Sequence, residues 1–213
     1  REESFLVADV MGDDAPELVT IAADKINIFP LDKSGRIGEP VILGSGDKLR
    51  SIAASDFNGD GLIDVMGVVP DDGSPLRIWL QSQDPGKTGT KAGLLASELR
   101  FEMPPLRDAA SVKFPKRAAT SIGTIERATQ RVVFYDLATQ AVSVGDGTAT
   151  EREVQAEVTA FSDTGSKGRS VVTTDLDGDG DVDLVLAVEW GALRVLRNDH
   201  GRFAEWNVPL AGG

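Results

Sequence analysis

Asp56-Phe57-Asn58-Gly59-Asp60-Gly61-Leu62-Ile63-Asp64 and Asp175-Leu176-Asp177-Gly178-Asp179-Gly180-Asp181-Val182-Asp183 decide how this chain is read. Each stretch places oxygen side chains at loop positions 1, 3, 5 and 9 and a glycine at position 6. A hard cation such as Ca2+ collects about six to eight oxygens, and alternating Asp and Asn on a tight turn supply several, with the position-7 carbonyls of Leu62 and Asp181 adding another. A helix-loop-helix calcium hand would need a Glu at position 12, where Gly67 and Leu186 stand instead. Both loops run into apolar, β-branched segments, Asp64-Val-Met-Gly-Val-Val69 and Asp183-Leu-Val-Leu-Ala-Val188, so strands flank the metal pattern.

Composition narrows the classes. The chain has 213 residues, 41% of them hydrophobic and 26% charged, which is enough for one good core or two modest ones. With 22 Lys+Arg against 34 Asp+Glu the formal charge is −12, which repels nucleic acid and anionic lipid and favours cations. There is no cysteine, hence no disulfide, thiolate nucleophile or zinc-thiolate site, and the single His200 cannot build a histidine-rich metal centre. No apolar run is long enough to span a bilayer, so no membrane insertion is expected. Opening at Arg1 without a signal pattern, the chain reads as a mature or excised piece. Calcium sites of modest affinity fill where the ion is abundant, so the expected location is extracellular, at the cell surface or periplasmic.

The two loops also anchor an internal repeat. Upstream of Asp56, the stretch Ala8-Asp9-Val-Met-Gly-Asp13-Asp14-Ala-Pro-Glu17 keeps acids at positions 1, 5 and 9, so Asp9, Asp13 and Glu17 form a third, incomplete ligand set. A fourth copy without acids is expected from Ala118 to Asp136, with Ala128, Thr129 and Gln130 in its loop. Each unit then reads as four short strands bounded by turn residues: 4–8, 17–22, 26–29 and 39–43; 50–55, 63–69, 76–80 and 99–103; 118–124, 131–136, 140–144 and 153–160; 169–174, 182–188, 192–197 and 203–208. Four-stranded groups at a period near 50 residues indicate an all-β protein built of β-propeller blades. The blades fall at about 4–48, 49–105, 117–161 and 168–210 of a single 1–213 propeller or propeller segment. Segment 92–100 hints at helical spacing but reads as a decorated loop.

These units resemble the FG-GAP or VCBS repeats of integrin alpha-chain-like propellers, through Ser55-Asp-Phe-Asn-Gly-Asp-Gly-Leu-Ile-Asp-Val65, Thr174-Asp-Leu-Asp-Gly-Asp-Gly-Asp-Val-Asp-Leu-Val-Leu-Ala187 and the tail Leu193-Arg-Val-Leu-Arg-Asn-Asp-His-Gly-Arg-Phe203. The resemblance implies Ca2+ held between a blade's first two strands. One ligand set would be Asp56, Asn58, Asp60, the Leu62 carbonyl and Asp64. The other would be Asp175, Asp177, Asp179, the Asp181 carbonyl and Asp183. The first loop departs from the pattern at Met11 and at Asp14, where glycine is expected. Such propellers usually carry seven or eight blades, so the four antiparallel units here read as an N-terminal or internal part of a longer ring, with a closed four-bladed ring left open.

Other features carry little chemistry. Asp71 and Asp72 are adjacent on a turn and rarely converge as glycosidase carboxyls would. His200 sits in a hairpin turn with no evident partner. Trp79 reads as core and Trp206 as a further candidate stacking ring. Trp190, at a turn on the face opposite the calcium loops, is the best exposed aromatic. Arg107, Lys113, Lys116 and Arg117 read as a solvated basic loop, and Gly86-Lys87-Thr88 lacks the glycine spacing of a phosphate loop. The expected function is a calcium-binding extracellular module for adhesion or for binding a protein or glycan, non-enzymatic, with turns near Asp24, Asp72 and Trp190 as its ligand face and further blades or domains adjoining it. The alternatives are a carbohydrate-active enzyme such as a polysaccharide lyase, and a purely architectural spacer.

Overall fold

The computed structural model describes residues 4–22, 24–44, 48–82, 95–144, 149–162, 168–188 and 193–206. Among them there is no helix, and so none long and apolar enough to cross a membrane. Sixteen strands form four separate four-stranded antiparallel sheets. The first holds β1 (Phe5–Ala8), β2 (Glu17–Ala22), β3 (Lys25–Pro30) and β4 (Val41–Gly44). The second holds β5 (Ser51–Ser55), β6 (Asp64–Val68), β7 (Leu76–Trp79) and β8 (Leu99–Phe101). The third holds β9 (Leu106–Val112), β10 (Ser121–Glu126), β11 (Val132–Val144) and β12 (Ala149–Ser162), and the fourth β13 (Gly168–Thr174), β14 (Asp183–Val188), β15 (Leu193–Asp199) and β16 (Arg202–Trp206). In every sheet the strands lie in sequence order, as a blade requires.

Three apolar layers, one between each consecutive pair of blades, make the core. Val19, Ile26 and Ile28 of the first blade meet Val65 and Trp79 of the second. Met66, Val68, Leu76 and Ile78 meet Leu106, Ile122 and Tyr135, and Val112, Phe134 and Val132 meet Val171, Leu184 and Leu196. Because side chains alternate along a strand, β6 serves two layers at once: Val65 faces back and Met66 faces forward. All five of its residues are buried, which suits the near-continuous apolar run read in the sequence.

The repeat is exact enough in register to compare positions. Ile52, Ala54 and Val65 in the second blade, and Ala109 and Ile122 in the third, sit in inter-blade layers. The first-blade residues that correspond to Ile52 and Ala54 are Phe5 and Val7, which are 72% and 57% exposed. Val172 on the far side of the fourth blade is 59% exposed. The four sheets thus form an open row of blades and do not close into a ring.

The third blade differs from the sequence expectation. Its first strand is Leu106–Val112, ahead of the anticipated start at 117–118, so 121–126 is the second strand, not the first, and Val132–Val144 merges two segments expected to be separate. Ala128, Thr129 and Gln130 belong to the turn between second and third strands. Two features hid β9: Asp108 interrupts its apolar alternation, and no acidic loop follows it. Asp108 is only 7% exposed, because its carboxylate accepts hydrogen bonds from Ser170 Oγ (2.7 Å) and Val171 N (3.0 Å) of the next blade. A polar residue was serving an inter-blade contact.

Phe134 is fully buried, stacked on Phe203 at 4.8 Å and edge-on to Phe114 at 5.5 Å. Phe134→Ala is expected to cost about 3–5 kcal/mol in urea unfolding, whereas Phe5→Ser on the open face should stay within about 0.5 kcal/mol.

Candidate metal loops

The loop in each blade begins directly after the first strand and ends on the first residue of the second. Position 1 is Asp9, Asp56, Lys113 or Asp175, and position 9 is Glu17, Asp64, Ser121 or Asp183. The turn is tight enough to need left-handed backbone, and Gly59 (φ 80) and Gly61 (φ 87) supply it in the second loop, as Gly178 (φ 77) and Gly180 (φ 92) do in the fourth. In the first loop Asp14 takes the role of the second glycine with φ 63, a conformation that Asp tolerates better than most residues.

The position-1 carboxylate gathers the turn. Asp56 accepts from Gly59 N (2.6 Å) and Gly61 N (2.9 Å), Asp175 from Gly178 N (2.7 Å) and Gly180 N (3.0 Å), and Asp9 from Gly12 N (2.6 Å) and Asp14 N (3.1 Å). The position-9 carboxylate latches the loop from below. Asp64 accepts from Phe57 N and Gln81 N, both at 2.9 Å, and Asp183 from Leu176 N (2.9 Å) and Asn198 N (2.8 Å). Glu17 does the same with Val10 N at 2.9 Å and Met11 N at 3.2 Å. All three latch residues are buried, at 1% exposure or less.

Carboxylates bonded in this way still carry free lone pairs. In the fourth loop one oxygen each from Asp175, Asp177 and Asp183 lie within 4.8 Å of one another, and in the first loop so do oxygens of Asp9, Asp13 and Glu17. The incomplete first loop therefore gathers its acids as the fourth does. Asp56, Asp60 and Asp64 are not gathered to that distance: Asp60 accepts from Leu62 N (2.9 Å), and its other oxygen receives Asn58 Nδ2 (3.0 Å). Asp179 accepts from Asp181 N at 2.8 Å, and the Asp181 side chain accepts from His200 N at 2.7 Å. Clusters of carboxylate oxygens suit a hard divalent cation.

The electrostatics fit that reading. Burial, with the Asp60 and Asp56 charges adding to it, pushes the Asp64 carboxyl up to about 7 from an ordinary 3.8. Burial likewise raises Glu17, with Asp13 and Asp9 nearby, and Asp177 is raised by desolvation and by Asp179 and Asp183. These acids repel one another without a cation between them.

Several contributors escaped sequence reading. The β15–β16 hairpin buttresses the fourth loop through Asn198, whose Nδ2 donates to Val182 O at 3.1 Å, and through His200, whose Nδ1 lies 2.7 Å from Asp199, the contact that raises its pKa. Gln81 joins two blades, its backbone N–H on Asp64 and its Nε2 on Asp9 O at 3.4 Å. Arg77, fully buried, reaches Asp72 at 3.0 Å and Glu98 at 2.9 Å. Asp72, expected on a ligand face, is held below the usual carboxylate range by Ser74 N and then by Arg77. Asp24 is exposed in the β2–β3 turn with φ 62, and Trp190 lies outside the described residues.

A raised acid binds protons more readily folded than unfolded, so stability of the metal-free chain falls as pH rises from about 4 to 7 through Asp64. Metal binding there must expel that proton, so the affinity of the second loop should weaken about tenfold per pH unit below 7. Calcium titration at pH 5.5, 6.5 and 7.5 checks this, and a pH-independent affinity would contradict the coupling of an Asp64 proton to metal binding.

Residues 9–67 match the family model of the FG-GAP-like repeat. That stretch runs from position 1 of the first loop into β6 and so contains the first and second loops whole. No curated protein matches the chain. The chain carries an FG-GAP-like repeat within a β-propeller-type module.

Proposed function

We propose that this chain is a calcium-stabilised propeller module, working outside the cell as a scaffold that binds a protein or glycan. The observation that carries the calcium reading is the fourth loop, where Asp175, Asp177 and the buried Asp183 bring three carboxylate oxygens within 4.8 Å on a backbone shaped by two left-handed glycines. Asp175, Asp177 and Asp183 would hold the ion there, and Asp9, Asp13 and Glu17 would hold one in the first loop. In the second loop Asp56, Asn58, Asp60 and Asp64 would close around it. Bound Ca2+ supplies charge neutralisation and a rigid loop, and no bond-making chemistry is assigned to it. An extracellular setting is part of the proposal because sites of modest affinity, with Kd of roughly 10⁻⁴ to 10⁻³ M, fill only where calcium is abundant. The adhesion role rests on the propeller-type architecture, which presents turns on two faces.

Thermal melts in chelator and in calcium test the proposal. Three sites with Kd near 10⁻⁴ M contribute about 4 kcal/mol at 1 mM Ca2+, raising Tm by about 8–16 °C. Mg2+, which demands tighter octahedral geometry, should give a smaller rise. An identical Tm with and without calcium would refute the calcium reading.

A further inference from the structure

In the third blade two of the three loop positions that hold acids in every other blade hold cations. Lys113 stands at position 1, where the other blades have Asp9, Asp56 and Asp175, and Arg117 stands at position 5, where they have Asp13, Asp60 and Asp179. The backbone keeps one of the two left-handed residues of the acidic loops, at position 4 and not at position 6, where Ala118 stands. Lys116 adopts φ 65 at the position of Gly12, Gly59 and Gly178, whose φ values are 69, 80 and 77. A lysine held in the left-handed region needs compensating contacts, and the loop provides them. Arg117 Nη1 pairs with Asp136 at 2.6 Å and its guanidinium lies 4.9 Å from the centroid of the Phe114 ring. Lys113 Nζ donates to the Ala118 carbonyl, and Ser121, at position 9, donates to Asp136. Phe114 sinks between the third and fourth blades against Phe134 and Phe203.

This loop also touches the second one. Thr120 N donates to the Asp56 carbonyl at 2.7 Å, and Ser55 Oγ to Thr120 Oγ1 at 2.8 Å. A Cβ placed on Gly59 would come 3.2 Å from Ala119 N, so the turn of the second metal loop is seated against residues 118–120.

We propose that Lys113 and Arg117 take the place of a metal ion in the third blade, and that the loop they hold is a buttress that sets the neighbouring Asp56–Asp64 loop in shape for its cation. The proposal rests on the calcium reading for its second half only. Arg117 is then a positioning residue for the second metal site, acting through Thr120 and Ala119; towards the fourth blade it reaches Phe114, whose ring meets Phe203, and not the fourth loop itself.

Two measurements on the full chain test it. In chelator, amide hydrogen exchange at Arg117 and Thr120, the amides of this loop that have backbone acceptors, should speed up when Lys113→Ala and Arg117→Ala are combined; exchange unchanged by removing both cations would overturn the claim that the loop holds itself. For the second half, Asp13→Ala with Asp177→Ala leaves the second loop as the site to be titrated with Ca2+. Adding Arg117→Ala should weaken its affinity about fivefold, with Arg117→Lys restoring most of it. In the companion background of Asp13→Ala with Asp60→Ala, the same Arg117→Ala should leave the fourth loop unchanged. Equal weakening of both loops, or of neither, would overturn the buttress. A wild-type chain that binds no calcium would end the calcium reading, and the exchange comparison, made wholly in chelator, would still decide whether the third loop is held without metal.

Discussion

A buried carboxylate at the first residue of the second strand is the constraint on which the acidic blades depend. Asp64 and Asp183 have no exposed surface, and each uses both oxygens to hold one N–H from its own loop and one from the end of the third strand. Such a residue does two things at once. It closes the loop onto the sheet, and it places a negative charge where water cannot solvate it. Backbone N–H groups offset part of that cost, while at Asp64 the charges of Asp60 and Asp56 add to it. A divalent cation would resolve the conflict by taking the remaining lone pairs, and under the proposed function this links the fold of each acidic blade to metal binding.

The loops are also linked to one another. Gln81 spans from Asp64 to the carbonyl of Asp9, and Thr120 reaches the carbonyl of Asp56, so the first three loops form one hydrogen-bonded row. The fourth stands apart, braced by Asn198 and His200 from its own blade. Between the third and fourth blades the polar link lies on the strands, where Asp108 meets Ser170 and Val171, and Thr173 Oγ1 donates to Ser111 O at 2.9 Å. These contacts, which no motif announces, give each loop in the row a physical route to its neighbour.

Much of this was legible in the sequence, for identifiable reasons. Strands β2, β6 and β14 follow acidic loops and consist of β-branched or apolar runs, so motif and periodicity agree there. The third blade lacked both signals: Asp108 broke the alternation of β9, and Lys113, Lys116 and Arg117 looked like a solvated patch. A left-handed Lys116 is invisible in a sequence, since glycine is the residue that ordinarily advertises the turn. Cross-blade partners such as Gln81, Asn198 and Thr120 escaped because their roles are set by backbone N–H groups brought close only by folding. The gathering of Asp9, Asp13 and Glu17 likewise depends on Asp14 accepting a conformation expected of glycine.

Counting bound ions bears most directly on the central claim that acidic loops take calcium structurally while the basic loop does without it. Native mass spectrometry of the chain equilibrated with millimolar Ca2+ should show ions that Asp60→Ala and Asp177→Ala each reduce by one, and that Lys113→Gln leaves untouched. A chain that carries no calcium, or a count indifferent to Asp60 and Asp177, would contradict it.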